Sequence, residues 1–237
     1  MGRHLYLYKL NTIQLQEQLS LEIKRLDDSE QSFKNWLSRE NDVSYETITQ
    51  KTAQTPDSLT GSELSQLTTW LWNVYGDANY DEVLLLLAQL GLEEIWWEGI
   101  TYYCNVIIEQ LNEYFDQLPE RSSPPDYLFT SKELVNFIEW MIILLGYFFV
   151  NEGMGEDEEL KKLTKQIDEL FLIHSGHYEQ AQKIYKEQLQ QRQELGESYT
   201  GKWSTDYFST AWRVFDLITL RAVVAESNTS LYLLDSY

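Results

Sequence analysis

The longest apolar run, LVNFIEWMIILLGYFFV from Leu134 to Val150, must be taken out of water, and any fold of this chain has to supply a place for it. Its length approaches the minimum for a membrane-spanning helix. It carries Asn136 and Glu139, however. Its flanks are Lys132 on one side and Glu152, Glu156, Asp157, Glu158 and Glu159 on the other, so the basic flank that orients a spanning helix is missing. The run is therefore expected to be the central core helix of a water-soluble bundle, with no membrane partner.

Enough apolar material surrounds it to close such a core. Of the 237 residues 43% are apolar and 14% aromatic, the reverse of a disordered composition. Charge is lopsided: 18 Lys+Arg against 38 Asp+Glu leave −20, which repels nucleic acid and anionic membranes and favours a basic protein as partner. The lone Cys104 permits no internal disulfide, and the opening MGRHLYLYKLNTIQ lacks the apolar stretch of a secretory signal, so a cytoplasmic setting is expected.

Most of the chain reads as helix. His4 to Leu10 alternates Leu5 and Leu7 with Tyr6 and Tyr8, the period of a strand. Asn11 and Gln14 then open a helix bearing Leu15, Leu19, Ile23 and Leu26 on one face. A shorter helix holds Phe33, Trp36 and Leu37. The polar segment 39–61, with Val43, Tyr45 and Ile48 as anchors, is expected to be a surface loop or short strand. Thr60 and Glu63 form a capping box for a helix closed by Gly76, and Asn79 caps another that ends at Gly91. A third helix is expected from Glu93 to about residue 117, carrying Trp96, Ile100, Tyr103, Ile107, Leu111 and Tyr114.

The proline-containing linker 119–131 then divides a single globular unit, 1–237, into halves 1–118 and 132–237. Beyond the apolar helix come two helices meeting near Gly176, and a last one whose Tyr207, Phe208, Ala211, Trp212, Phe215, Ile218 and Ala222 are expected to face a core. The ending SLYLLDSY matches HLYLYKL in its leucines and tyrosines, making the two candidates for a short β-ribbon pairing the chain termini. The expected fold is mainly α, an irregular bundle of about eight helices with helical hairpins.

HSGHYEQAQKIYKEQLQQRQELG, with Tyr178, Ala181, Tyr185 and Leu189 closed by Leu195-Gly196, resembles the second half of a tetratricopeptide repeat. The resemblance covers about 157–196, and NYDEVLLLLAQLG within 62–91 repeats the spacing at Tyr80, Val83 and Leu87. It implies paired helices in which a small residue, Ala181, admits the preceding helix and Tyr185 fills the groove.

No residue pattern supplies a cofactor or metal site. His174 and His177 lie together but without the further ligands zinc requires, Cys104 sits in apolar company, and no phosphate loop or nucleophile elbow occurs. The expectation is a non-catalytic acidic module, of inhibitor or immunity type, that masks a basic protein. Its candidate contacts are Trp96, Trp97, Glu156, Asp157, Glu158, Glu159, Tyr199 and Trp203. The alternative is an enzyme or small-ligand binder with a cleft of carboxylates and aromatics between the halves.

Overall fold

Alternation in the sequence becomes alternation in space: β1, His4–Leu10, sends Leu5 and Leu7 to one side and Tyr6 and Tyr8 to the other. The computed structural model describes residues 2–39, 45–76, 79–99, 101–116, 127–151, 158–195, 207–227 and 229–236. Asn11 ends β1 and caps the next element, its side chain accepting the Gln14 N–H at 3.2 Å. That helix, α1 (12–25), contains a π-helical turn over Leu15–Leu19 and buries Leu15, Leu19 and Ile23. α2 (Phe33–Arg39) follows.

Within the segment expected to be a loop or strand lies α3 (Tyr45–Gln54), with a 3-10 turn at Pro56–Ser58. Ile48 and Thr52, one helical turn apart, are both buried. The Thr52 hydroxyl donates to the Ile48 carbonyl at 2.8 Å, so a residue that reads as polar enters the core with its hydrogen bond satisfied. Val43 falls outside the described residues.

α4 (Gly61–Tyr75) starts with the expected capping box: Glu63 N–H donates to Thr60 Oγ1 at 3.2 Å, and Thr60 N–H donates to Glu63 Oε2 at 2.8 Å. Lys51 Nζ reaches both Glu63 oxygens at 2.8 Å. Burial pushes the Glu63 carboxyl up, but the Lys51 ammonium and the Thr60 N–H more than offset it and hold the group below the ordinary carboxylate value. A carboxyl more acidic folded than unfolded contributes fully at neutral pH and progressively less as pH falls through the carboxylate range. Glu63→Gln is expected to cost about 1 kcal/mol at neutral pH. Urea unfolding at pH 7 and at about pH 3 should show that cost shrinking in acid.

α5 (Tyr80–Gln89) ends at Gly91, whose φ of +90° is left-handed. A Cβ there would stand 2.7 Å from the Asn11 carbonyl oxygen, and the Asn11 N–H donates to Gly91 O at 2.9 Å. From this junction the chain enters β2 (Leu92–Glu98), where a helix from Glu93 was expected. Trp96, Ile100 and Tyr103 happen to step at helical spacing. Yet Ile95, Trp96 and Trp97 are β-branched and aromatic, and Gly91 and Gly99 bracket them, so pairing with β1 wins. The helix is confined to α6 (Thr101–Asp116).

β3 (Leu128–Phe129) and β4 (Leu231–Ser236) complete an antiparallel sheet of order β2-β1-β4-β3. The ribbon joining the termini is thus the centre of a four-stranded sheet. Arg3 clamps it, donating from Nε to Asp235 Oδ1 at 2.7 Å and from Nη2 to Oδ2, with Nη1 on Asn105 Oδ1 at 2.7 Å. One face of the sheet, with Tyr8, Leu10, Leu92, Tyr232 and Leu234, packs into a core shared with α1, α4 and α5 around Trp70.

The chain divides into two compact units. One comprises Met1–Asn105, Phe115–Ser131 and Ser227–Tyr237; the other comprises Val106–Tyr114 and Lys132–Glu226. β4, at the far end of the chain, falls in the first unit because it pairs with β1.

The second unit contains α7 (Ser131–Asn151), α8 (Glu158–Ile173), α9 (Ser175–Leu195) and α10 (Tyr207–Ala225), which bring the helices among the described residues to ten. α7 is the long apolar run. Among the described residues it is the one helix long and apolar enough to cross a membrane, and its side chains from Phe137 to Phe149 are all buried. Gly146 lies so close to α8 that a Cβ would sit 2.7 Å from Ile167 Cγ2. Tyr178 packs 4.9 Å from Phe171, Tyr185 stands edge-on to Tyr147 and Phe148, and Ala181 is fully buried. On α10 the buried stripe is Val214, Leu217, Leu220 and Val224; of the expected stripe, Phe215 and Ile218 are half-buried and Ala222 is exposed, and the side chains of Tyr207, Phe208 and Ala211 lie outside the described residues. Trp212 is 65% exposed, because the branched aliphatics two positions along satisfy the same three- and four-residue spacing.

Candidate functional site

β2 is an edge strand, and its register with β1 contains an irregularity that shapes its surface. Tyr6 pairs with Trp97 and Leu7 with Trp96, but Tyr8 pairs with Glu94, Ile95 being passed over. The bulge places a carboxylate beside Tyr8 where regular alternation would place isoleucine. Tyr6, Tyr8, Glu94 and Trp97 therefore share a face of the sheet.

Helices complete the cluster. Trp72 of α4 tilts against Tyr6 with ring centroids 6.3 Å apart, and Tyr80 stacks on Trp72 at 5.6 Å and 27°. Tyr80 is the first residue of α5, anchored there by the Asn79 side chain, which accepts the Glu82 N–H at 3.0 Å. The Tyr80 hydroxyl lies 3.2 and 3.3 Å from the two Glu94 oxygens. The Tyr8 hydroxyl is buried without a hydrogen-bond partner among the described residues. The Trp72 indole N–H is its polar neighbour, but neither atom completes a bond of ordinary geometry.

Burial raises the Glu94 carboxyl above the ordinary value, and the Tyr80 hydroxyl offsets only part of that. Burial likewise raises the hydroxyls of Tyr6, Tyr8 and Tyr80, with the Glu94 charge adding to each. Its partners also set Glu94 apart from four other carboxylates that fold inward. Asp235 meets Arg3, Glu22 meets Arg25, Glu63 meets Lys51 and Glu139 meets Arg221, whereas no basic side chain among the described residues pairs with Glu94.

A carboxyl raised on folding favours the folded state fully below its unfolded value, and that contribution is lost as pH rises through its folded value. Glu94→Gln is therefore expected to unfold at a higher temperature than the parent at pH 7. The advantage should vanish near pH 4, and calorimetry at the two pH values reads it directly.

Of the residues expected to bind a partner, Trp97 belongs to this face: it is 53% exposed, and its ring leans over Gly99, where a Cβ would meet Cζ3 at 2.1 Å. Trp96 is half-buried on the opposite face, across from Leu7. Glu158 and Glu159 open α8. Glu156, Asp157, Tyr199 and Trp203 lie outside the described residues. Tyr6, Tyr8, Trp72, Tyr80 and Glu94 were not among the expected contacts. The one available signal was the alternation of β1, which already sets Tyr6 and Tyr8 side by side.

Two other chemistry-bearing places complete the picture. The buried Cys104 thiol donates to the carbonyls of Arg3 and Glu98, each at 3.2 Å. Burial, then the Glu98 charge, push it up to about 11, so it is no nucleophile at neutral pH. In the second unit Glu139, 5% exposed, accepts from Arg221 Nε at 2.6 Å and from Arg221 Nη2, and lies 3.0 Å from His174 Nε2. His177 stacks on His174 at 5.5 Å and packs against Trp140 and Tyr114. Burial, then the neighbouring His174, lower its basicity.

Among the described residues no three His, Cys, Asp or Glu side chains gather to hold a metal ion. Three surface clefts hold one carboxylate each, Asp57, Asp235 and Glu93. Compared with protein-family models, with curated proteins and with solved structures, the chain matches none of them.

Proposed function

We propose that this protein is a non-catalytic, acidic binding module, acting in the cytoplasm, that captures a basic protein through the β2 face in the manner of an inhibitor or immunity protein. The observation that carries the reading is the pairing of two exposed aromatics, Trp97 and Tyr80, with a half-buried carboxylate that no cation among the described residues neutralises. Aromatic anchors supply contact area at little entropic cost. A net charge of −20 steers basic partners in and keeps acidic ones out.

Co-purification from the native host at roughly 50 mM salt, repeated at roughly 500 mM, tests it. The expected result is a basic protein retained at low salt, released at high salt, and lost when Trp97→Ala replaces the parent. A partner held equally at both salt concentrations, or indifferent to Trp97→Ala, overturns the assignment of this face.

A further inference from the structure

We propose that the Glu94–Tyr80 pair receives one arginine side chain of the partner, the guanidinium stacking on the Tyr80 ring and forking onto the Glu94 carboxylate. The inference rests on the binding reading above and goes further, to the chemical group recognised.

Three observations converge on it. A carboxylate withdrawn from water is costly unless it is paired, and the four inward carboxylates named above each have a cation. Among the described residues Glu94 has only the Tyr80 hydroxyl, at the long end of the hydrogen-bond range. Next, Tyr8 lies across the strand pair from Glu94 and is fully buried, its hydroxyl completing no ordinary hydrogen bond among the described residues, so that side of the carboxylate supplies no cation. Finally, Tyr80 rests on Trp72 yet remains 42% exposed, so a supported aromatic ring borders the carboxylate.

Guanidinium is the group these features select. It is planar and weakly hydrated, so it stacks on a ring, and its fork of N–H donors matches a carboxylate. An ammonium presents a point charge without the plane. A neutral urea-type group stacks but leaves Glu94 uncompensated.

The test titrates the full chain with three blocked tripeptides, Gly-Arg-Gly, Gly-Lys-Gly and Gly-citrulline-Gly, followed by calorimetry and by tryptophan emission, since Trp72 lies beneath Tyr80. The arginine peptide is expected to saturate, with citrulline at least about tenfold weaker and lysine weaker than arginine. Glu94→Gln and Tyr80→Ala should each weaken the arginine peptide about tenfold or more, while Tyr80→Phe, which keeps the ring, retains binding within about threefold. Calorimetric unfolding of Glu94→Gln, measured beside the titration, separates a loss of binding from a folding defect. Citrulline or lysine equal to arginine, or unchanged binding by Glu94→Gln, overturns the proposal. If the tripeptide fails while salt-sensitive, Trp97-dependent capture persists, the arginine receptor is wrong and the binding face stands. If the tripeptide binds while capture ignores Trp97, the reverse holds.

Discussion

Trp70→Ala is expected to lower the unfolding free energy by about 3–5 kcal/mol. Trp70 is fully buried, and it is the largest side chain in the core beneath the sheet. Its ring lies 5.1 Å from that of Phe33, and its indole N–H donates to the Gln31 carbonyl at 2.8 Å, tying the start of α2 to α4. Truncation removes the apolar area, leaves a void that Leu64, Leu67 and Leu71 on the same helix cannot close, and strips the Gln31 carbonyl of its donor. Ordinary domains hold only about 5–15 kcal/mol in total, so the variant should sit near its unfolding midpoint in mild denaturant. Trp70→Phe keeps most of the volume and should recover much of the loss. Urea unfolding followed by near-ultraviolet dichroism measures both; a cost below about 1 kcal/mol for the alanine variant would place the indole outside the core.

Features governed by a few neighbouring residues were the legible ones. Asn11 with Gln14, Thr60 with Glu63, and Asn79 before α5 all cap helices as their spacing requires, because a cap is satisfied within three residues of chain. The run 134–150 was legible for another reason: seventeen nearly unbroken apolar positions leave few alternatives to a buried helix. Trp96 and Trp97 were misread because strand or helix was decided by β1, about ninety residues upstream, and not by their own spacing. The polar segment 39–61 was misread for a different, local reason: polar residues such as Thr52 enter the core with the hydroxyl satisfied inside their own helix.

The site was less legible still. Glu94 is one of 38 acidic residues, and nothing in its flanking sequence marks it. What distinguishes it is a skipped Ile95, a tyrosine opposite on β1, and an aromatic ring donated by another helix. Each is a long-range consequence of the register, which the alternation of β1 foreshadows only for Tyr6 and Tyr8.

In the second unit the largest expected effect comes from Arg221→Met. Glu139 stands on the most apolar helix of the chain, and Arg221 on α10, with His174 between α8 and α9, supplies its compensation. Removing the arginine leaves a buried carboxylate with only an imidazole neighbour. Breaking such a pair costs about 3 kcal/mol, toward the low end for buried pairs because the Arg221 side chain is 41% exposed. Glu139→Leu in the parent should cost less, since the charge left behind is then an arginine that can turn to solvent. The double variant Glu139→Leu, Arg221→Met removes both charges and should recover most of the stability lost by Arg221→Met alone. A double-mutant cycle in urea decides it. If the two single losses simply add, Glu139 and Arg221 act independently and α7 does not depend on α10 to hold its one carboxylate.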